Sequence, residues 1–247
     1  VTNIFLTIYQ AFKNNQKLVS VLIDPGKLNK NLLRQRLMSL KNAPIDFIFL
    51  GGSLVTESVS ETKELIKEYL DLPVVLFPGS LLQLDFSADA ILLLSLLSGR
   101  NPDLLIGNHV LAAPFIRKSG IETISTAYIL VDGGKRSTVE YISNTQSIAR
   151  DKTEIVVATA MAAEMLGFQV IYLEAGSGAL LSVPTEMVET VRANSQLPII
   201  VGGGIKDSAT IENLFKAGAD MVVLGTIFEK EPDISHQIKA VKDLYSA

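Results

Sequence analysis

Residues 168–188 read FQVIYLEAGSGALLSVPTEMV. An apolar, β-branched run stops at a carboxylate, Glu174, passes into small residues and gives way to a helical pattern. Near-continuous hydrophobicity of this kind marks a strand buried on both faces, as in a parallel sheet. The unit recurs along the chain. Apolar runs lie at 18–24 (LVSVLID), 47–53 (FIFLGGS), 73–79 (PVVLFPG), 90–96 (AILLLSL), 123–132 (TISTAYILVD), 168–176, 198–204 (PIIVGGG) and 221–228 (MVVLGTIF). Amphipathic stretches separate most of them, at 29–42, 56–70, 101–120, 152–167, 184–196 and 207–220, and several stop at Gly, a common helix terminator. Eight strand–helix units in 247 residues have the size and rhythm of a (β/α)8 TIM barrel, and residues 1–247 are expected to form one such domain. An open, doubly wound sheet shares the periodicity. The barrel is favoured because glycine and acid residues collect at the C-terminal ends of strands 1, 2, 6, 7 and 8, where barrel loops build a site.

One interval breaks the rhythm. Between strands 3 and 4 only SLLQLDFSAD (80–89) is available, too short for a crossover helix of about a dozen residues. The outer ring should therefore have an incomplete or missing helix there. That gap is either covered by an oligomer contact or open as a groove suited to a long apolar ligand.

Composition narrows the function classes. With 48% apolar and 19% charged residues the chain can build a sizeable core. A net charge of −4 recruits neither nucleic acid nor an anionic membrane surface, so any anionic ligand must be held locally. Cysteine is absent, which removes thiolate catalysis and sulfur-ligated metals and fits a cytoplasmic location. The longest apolar stretch, AILLLSLL (90–97), falls far short of the about 20 residues a membrane span needs. The N-terminal VTNIFLTIYQAFKNNQK lacks the basic start and cleavage site of a signal peptide, and it begins without Met.

Two loops suit a phosphate. IIVGGGIKDSAT supplies Gly203 and Gly204, then Asp207 or Ser208 as a helix N-cap, and VVLGTIFEKEPD supplies Gly225 and Thr226. Backbone N–H groups approach an anion closely where no side chain intervenes, and the loops after strands 7 and 8 are the usual place for this in barrels. Such glycines also make tight turns. Ser177, in Gly176-Ser177-Gly178, could add a hydroxyl. Tyr172 and Glu174 share parity on strand 6 and should both point inward, which makes Glu174 a candidate base or acceptor for a substrate hydroxyl; an ion-paired core Glu and a packing Tyr are the alternatives.

Across the mouth, LIDPGK ends strand 1 at Asp24 and FLGGS ends strand 2 at Ser53. One carboxylate and one hydroxyl are too few for a closed cage but suit Mg²⁺, which keeps waters and shares itself with substrate phosphates. Taken singly, each motif is also an ordinary turn; co-location is what recommends them. Lys27, Arg150 and Lys152 could contact a diphosphate or be solvated surface charge. His109 and His236 fall within helical stretches and receive no catalytic role.

LIDPGK, FLGGS, YLEAGSG, VGGGI and VLGTIFE, in this order and at these spacings, resemble the geranylgeranylglyceryl phosphate synthase family, which includes heptaprenylglyceryl phosphate synthases. The resemblance runs from about Val19 to Glu229. It implies a (β/α)8 barrel prenyltransferase that joins a long prenyl diphosphate to sn-glycerol 1-phosphate through an ether bond, with Mg²⁺, and that is a homo-oligomer. By the same resemblance Asp24 and Ser53 take the Mg²⁺ positions. Tyr172, Leu173, Glu174, Ala175, Gly176, Ser177, Gly178, Gly203, Gly204, Gly225 and Thr226 take the glycerol phosphate positions, with Glu174 as the catalytic base or orienting group. The apolar IFLTIYQAF (4–12) could take part in assembly. Two positions depart from the family's pattern: Gly26 replaces a second acid, and Leu22 stands where the heptaprenyl-using branch carries Lys, which leans toward a geranylgeranyl substrate. Another phosphate-binding barrel enzyme, an isomerase or flavin oxidoreductase, and a non-catalytic phosphometabolite-binding protein are the alternatives.

Overall fold

The computed structural model describes residues 3–245. The outermost residues of the expected 1–247 domain lie outside them. Among the described residues eight parallel strands close into a barrel in chain order: β1 (Leu18–Ile23), β2 (Phe47–Leu50), β3 (Val74–Leu76), β4 (Ala90–Leu96), β5 (Glu122–Leu130), β6 (Val170–Glu174), β7 (Ile199–Gly202) and β8 (Met221–Leu224). β8 returns to β1 with Leu18 opposite Met221 and Val21 opposite Leu224. The helices are α1 (Ile4–Lys13), α2 (Lys30–Leu40), α3 (Val59–Tyr69), α4 (Asn108–Ser119), α5 (Thr138–Ser143), α6 (Thr153–Met165), α7 (Thr185–Asn194), α8 (Ser208–Lys216), α9 (Thr226–Lys230) and α10 (Ser235–Lys242).

Strand alternation divides the apolar residues between two cores. Phe49, Phe77, Leu92, Tyr128, Tyr172 and Val223 fill the barrel, while Ile48, Leu50, Ile129, Leu173 and Val201 pack outward against the helices. Ile4, Ile8 and Ala11 of α1 join the inner cluster, and the first-turn amides of Ile4 and Phe5 donate to the Glu122 carboxylate at the start of β5, at 2.7 and 2.8 Å. One face of 4–12 thus packs on the barrel floor, while Leu6 and Tyr9 stay exposed on the other.

The strands are mostly shorter than the apolar runs, because the glycines at their ends belong to loops. The clearest difference is at 221–228: β8 ends at Leu224 and Thr226–Lys230 is helical, with Ile227 and Phe228 buried as helix residues. A short apolar run cannot by itself distinguish a strand from a buried helical turn. Between β3 and β4 there is a single 3-10 turn, Leu81–Gln83, so the outer ring does have its gap. β3 meets β4 through two residue pairs, whereas β4 meets β5 through seven.

At the floor of the barrel Asp220 is buried and accepts hydrogen bonds from the Ile199 amide (2.8 Å) and Arg192 Nη1 (3.1 Å), with Lys17 Nζ 4.0 Å away. Burial lowers the Lys17 pKa, an effect the Asp220 carboxylate opposes. Asp220→Ala strands a buried ammonium, and a loss of about 3–5 kcal/mol in urea-unfolding stability is expected. A loss below about 1 kcal/mol would mean that the cluster is not holding the floor.

Candidate active site

The last residues of β6 set the site. Period-2 alternation turns Tyr172 and Glu174 into the barrel and Leu173 into the helix layer. The Gly176 amide bends back to donate to Glu174 Oε1 at 2.6 Å. β7 closes on the carboxylate from the side, and this approach requires glycine. A Cβ at Gly202 would stand 2.7 Å from Glu174 Oε2, and one at Gly203, whose φ is +81°, would stand 2.7 Å from the Gly176 nitrogen.

Phe77, Tyr128 and Tyr172 form the floor beneath Glu174, with ring centroids 5.3 to 5.9 Å apart. In these surroundings the carboxylate is poorly solvated, and burial pushes the Glu174 pKa up to about 7, opposed by the Gly176 amide and the adjacent Tyr172 hydroxyl. That hydroxyl is buried beside the carboxylate without a well-aligned hydrogen bond. Burial first, and the nearby carboxylate second, raise both tyrosines well above the ordinary phenol range.

On the other side of the mouth Asp24 follows β1 and Ser53 follows β2. Asp24 Oδ1 is buried and accepts no hydrogen bond. Burial raises the Asp24 pKa to about 6, with Lys27 opposing the shift and Glu229 adding to it. The Gly52 backbone lies directly on this carboxylate, since a Cβ there would be 2.6 Å from both oxygens. A buried anionic oxygen without a donor is a fitting partner for a cation, although among the described residues no three His, Cys, Asp or Glu side chains cluster as a metal cage.

One cavity joins these parts. Asp24, Ser53, Tyr172, Glu174, Ser177, Gly203, Gly204, Gly225 and Thr226 all line it, together with Lys27, Tyr128 and Glu229. Of the remaining residues in the 172–178 run, Leu173 and Ala175 belong to the core against the helices, and Gly176 and Gly178 are turn residues with φ of +99° and +68°. Thr226 Oγ1 accepts from the Gly178 amide at 3.2 Å, which ties the loop after β6 to the loop after β8. Asp207 caps α8 by accepting from the Thr210 amide at 2.8 Å. Arg150 is a strut rather than a mouth residue, donating to the Asp132 and Ser182 carbonyls at 3.0 and 2.7 Å, and Lys152 faces Asp151 on the surface. Gly26 has φ +91°, a conformation that would strain a second acid at that position.

A second, apolar cavity adjoins the first, with Gly52, Ser53, Phe77, Tyr128 and Val139 lining both. It runs over β4 where the helix is missing, between Leu81 and Leu84 on one side and Ala112 and Ile116 of α4 on the other. His109 lines it and faces Ser95 Oγ at 3.0 Å. The sequence reading missed Phe77 and Tyr128. Both sit on runs identified as strands, but which face they take depends on where each strand begins.

Comparison with known proteins places the chain among relatives. Residues 13–244 match the profile of the PcrB family. A geranylgeranylglyceryl phosphate synthase of Spirosoma linguale is 46% identical over 238 residues, 96% of this chain and 96% of that protein. One of Chitinophaga pinensis is 47% identical over 245 residues, covering 97% and 96%. The crystal structure of (S)-3-O-geranylgeranylglyceryl phosphate synthase from Thermoplasma acidophilum in complex with sn-glycerol-1-phosphate superposes with a TM-score of 0.91, at 33% identity, over 99% of both chains.

The raised Glu174 pKa has a consequence for stability. Below its ordinary value of 4.5 the group is neutral folded or unfolded; between 4.5 and about 7 the unfolded chain ionises first, and the stability lost over that window stays lost above it. Glu174→Gln should therefore stabilise the protein at pH 8.5, by on the order of 2–3 kcal/mol, and leave it unchanged near pH 4. Thermal melts at the two pH values check this, and a gain of equal size at both would contradict it.

Proposed function

The chain belongs to the PcrB family, and from that premise we propose that it is a prenyltransferase, a geranylgeranylglyceryl phosphate synthase. It forms an ether bond between a long prenyl diphosphate, geranylgeranyl diphosphate foremost, and the terminal hydroxyl of sn-glycerol 1-phosphate, and releases diphosphate. The observation that carries this reading is the adjacency of two unlike cavities: a polar mouth with a buried carboxylate shares a wall of five residues with an apolar groove made by the absent helix. A phosphorylated alcohol and a long hydrocarbon tail need that combination.

The glycine loops after β7 and β8, with Ser177 and Thr226, hold the phosphate of the glycerol moiety, because backbone donors reach it without intervening bulk. Glu174 faces the hydroxyl, orients it and accepts its proton as the new carbon–oxygen bond forms and the allylic carbon–oxygen bond to diphosphate breaks. A base poised near neutral pH is well matched to that task. Lys27 lies at the diphosphate end of the same cavity. Asp24 and Ser53 would hold Mg²⁺, and the unpartnered Asp24 Oδ1 supports that assignment. Bound there, the ion supplies neutralising charge for a departing diphosphate. Water is kept from the allylic carbon by Phe77, Tyr128 and the apolar lining of the groove.

Homo-oligomer formation belongs to the same proposal. Ile106 and, on α4, Val110, Leu111 and Phe115 are each 59–63% exposed, a more open apolar face than α1 offers. Among the described residues no helix is long and apolar enough to cross a membrane.

The test is a Mg²⁺-dependent assay with radiolabelled sn-glycerol 1-phosphate, prenyl diphosphates of several lengths and sn-glycerol 3-phosphate as control. Lipid-extractable product is expected from the 1-phosphate, with geranylgeranyl diphosphate preferred. No product at any chain length would favour a binding protein or an unrelated barrel enzyme.

A further inference from the structure

The 3-10 turn in place of a helix carries one polar side chain that the mechanism above does not use. Gln83 is buried, at 5% exposure, in a segment otherwise made of leucines. Its side chain is fully engaged with backbone across the mouth. Gln83 Nε2 donates to the Gly52 carbonyl at 2.7 Å, and Gln83 Oε1 accepts from the Gly52 and Gly79 amides, each at 3.2 Å. A primary amide presents an N–H and its C=O side by side on one edge, so Gln83 pairs with both backbone groups of residue 52 as a strand neighbour would, two residues after β2 ends at Leu50.

The position of this clamp matters more than its strength. On one side, Leu81 and Leu84, two before and one after Gln83, line the apolar groove. On the other, Gly52 lies against the Asp24 carboxylate and is followed directly by Ser53. The packing is too close to absorb a shift: a Cβ at Gly79 would be 3.0 Å from the Ser53 Cα, and one at Gly51 would be 2.7 Å from the Phe77 carbonyl carbon. We infer that Gln83 is a positioning residue that transmits occupation of the apolar groove by a prenyl tail to the Gly52–Ser53 backbone facing Asp24. This rests on the prenyltransferase reading for the identity of the tail. The headgroup end would then be aligned only when a tail of adequate length is seated, which favours transfer of long chains over short ones.

The test reads transmission without turnover first. Geranylgeraniol, which has the tail and no phosphate, is added to the full chain while amide hydrogen exchange is followed. In the wild type exchange at residues 51–54 is expected to slow; in Gln83→Met, which keeps the length of the side chain and removes its three bonds, protection should be confined to the groove. The catalytic readout follows. Gln83→Met should lose about tenfold or more in kcat/KM with geranylgeranyl diphosphate, but less than about threefold with a single-isoprene diphosphate that leaves the groove empty, while the Kd for sn-glycerol 1-phosphate stays within about twofold. Gln83→Leu, which also removes the three bonds and stays apolar in the buried position, should show the same pattern and serves in its place if the Met variant does not fold. Unchanged exchange at 51–54 in the wild type, equal losses on long and short substrates, or matching loss of glycerol phosphate affinity would overturn the inference. A wild type that shows the exchange effect but makes no product would instead count against the prenyltransferase reading alone.

Discussion

A carboxylate held where water is scarce is the constraint around which this barrel mouth is arranged. Glu174 sits above three aromatic rings, takes one short hydrogen bond from the Gly176 amide and has no cation paired with it among the described residues. Desolvation of that kind opposes ionisation, so the group rests near the balance point between its two forms at neutral pH. The surrounding chain is shaped to keep it there. Gly202 and Gly203 bring β7 against the carboxylate at distances no side chain permits, and Gly203 with Gly204 leaves the loop bare toward the cavity. One stretch of backbone therefore both confines the acid and offers a place for an anion beside it.

The second determinant is an omission. A (β/α)8 barrel normally covers each strand with a helix; here the thirteen residues between β3 and β4, 77–89, form no α-helix and leave β4 open on its outer face. The uncovered leucines, the α4 residues opposite and the ring of Phe77 make a path from the flank of the barrel to Glu174. Substrate shape follows: a polar head at the mouth and an apolar tail along the flank. Asp24, whose buried oxygen lacks a donor, lies across the mouth from Glu174, and in the proposed reaction the two acids would divide the site between a leaving group and a nucleophile.

Much of this was legible in the sequence, and the limits have physical causes. The eight apolar runs located all eight strands because parallel strands buried on both faces leave an unbroken signal, and the short 80–89 interval identified the missing helix by length alone. Asp24, Ser53, Glu174 and the glycine loops, which line one cavity, were picked out as candidates because they sit at strand ends. Phe77 and Tyr128 were not, since they look like ordinary core residues until strand register is known. Gln83 was hidden for another reason: its role is a tertiary contact with Gly52, thirty-one residues away. The helix at Thr226–Lys230 escaped because a five-residue apolar turn has no period long enough to read. Within YLEAGSG alternation set Tyr172 and Glu174 apart from Leu173, but it ends with the strand and said nothing of Ser177, which reaches the cavity, or Ala175, which supports it; the resemblance had grouped them all.

The central claim is that Glu174 acts on the nucleophile and not on the binding of its phosphate. Single-turnover kinetics of Glu174→Gln, set beside its Kd for sn-glycerol 1-phosphate, test this most directly. The account predicts a Kd within about threefold of wild type and a chemical step slower by about 10²–10⁴-fold. A chemical step within about threefold of wild type, or a loss that appears wholly in the Kd, would contradict it.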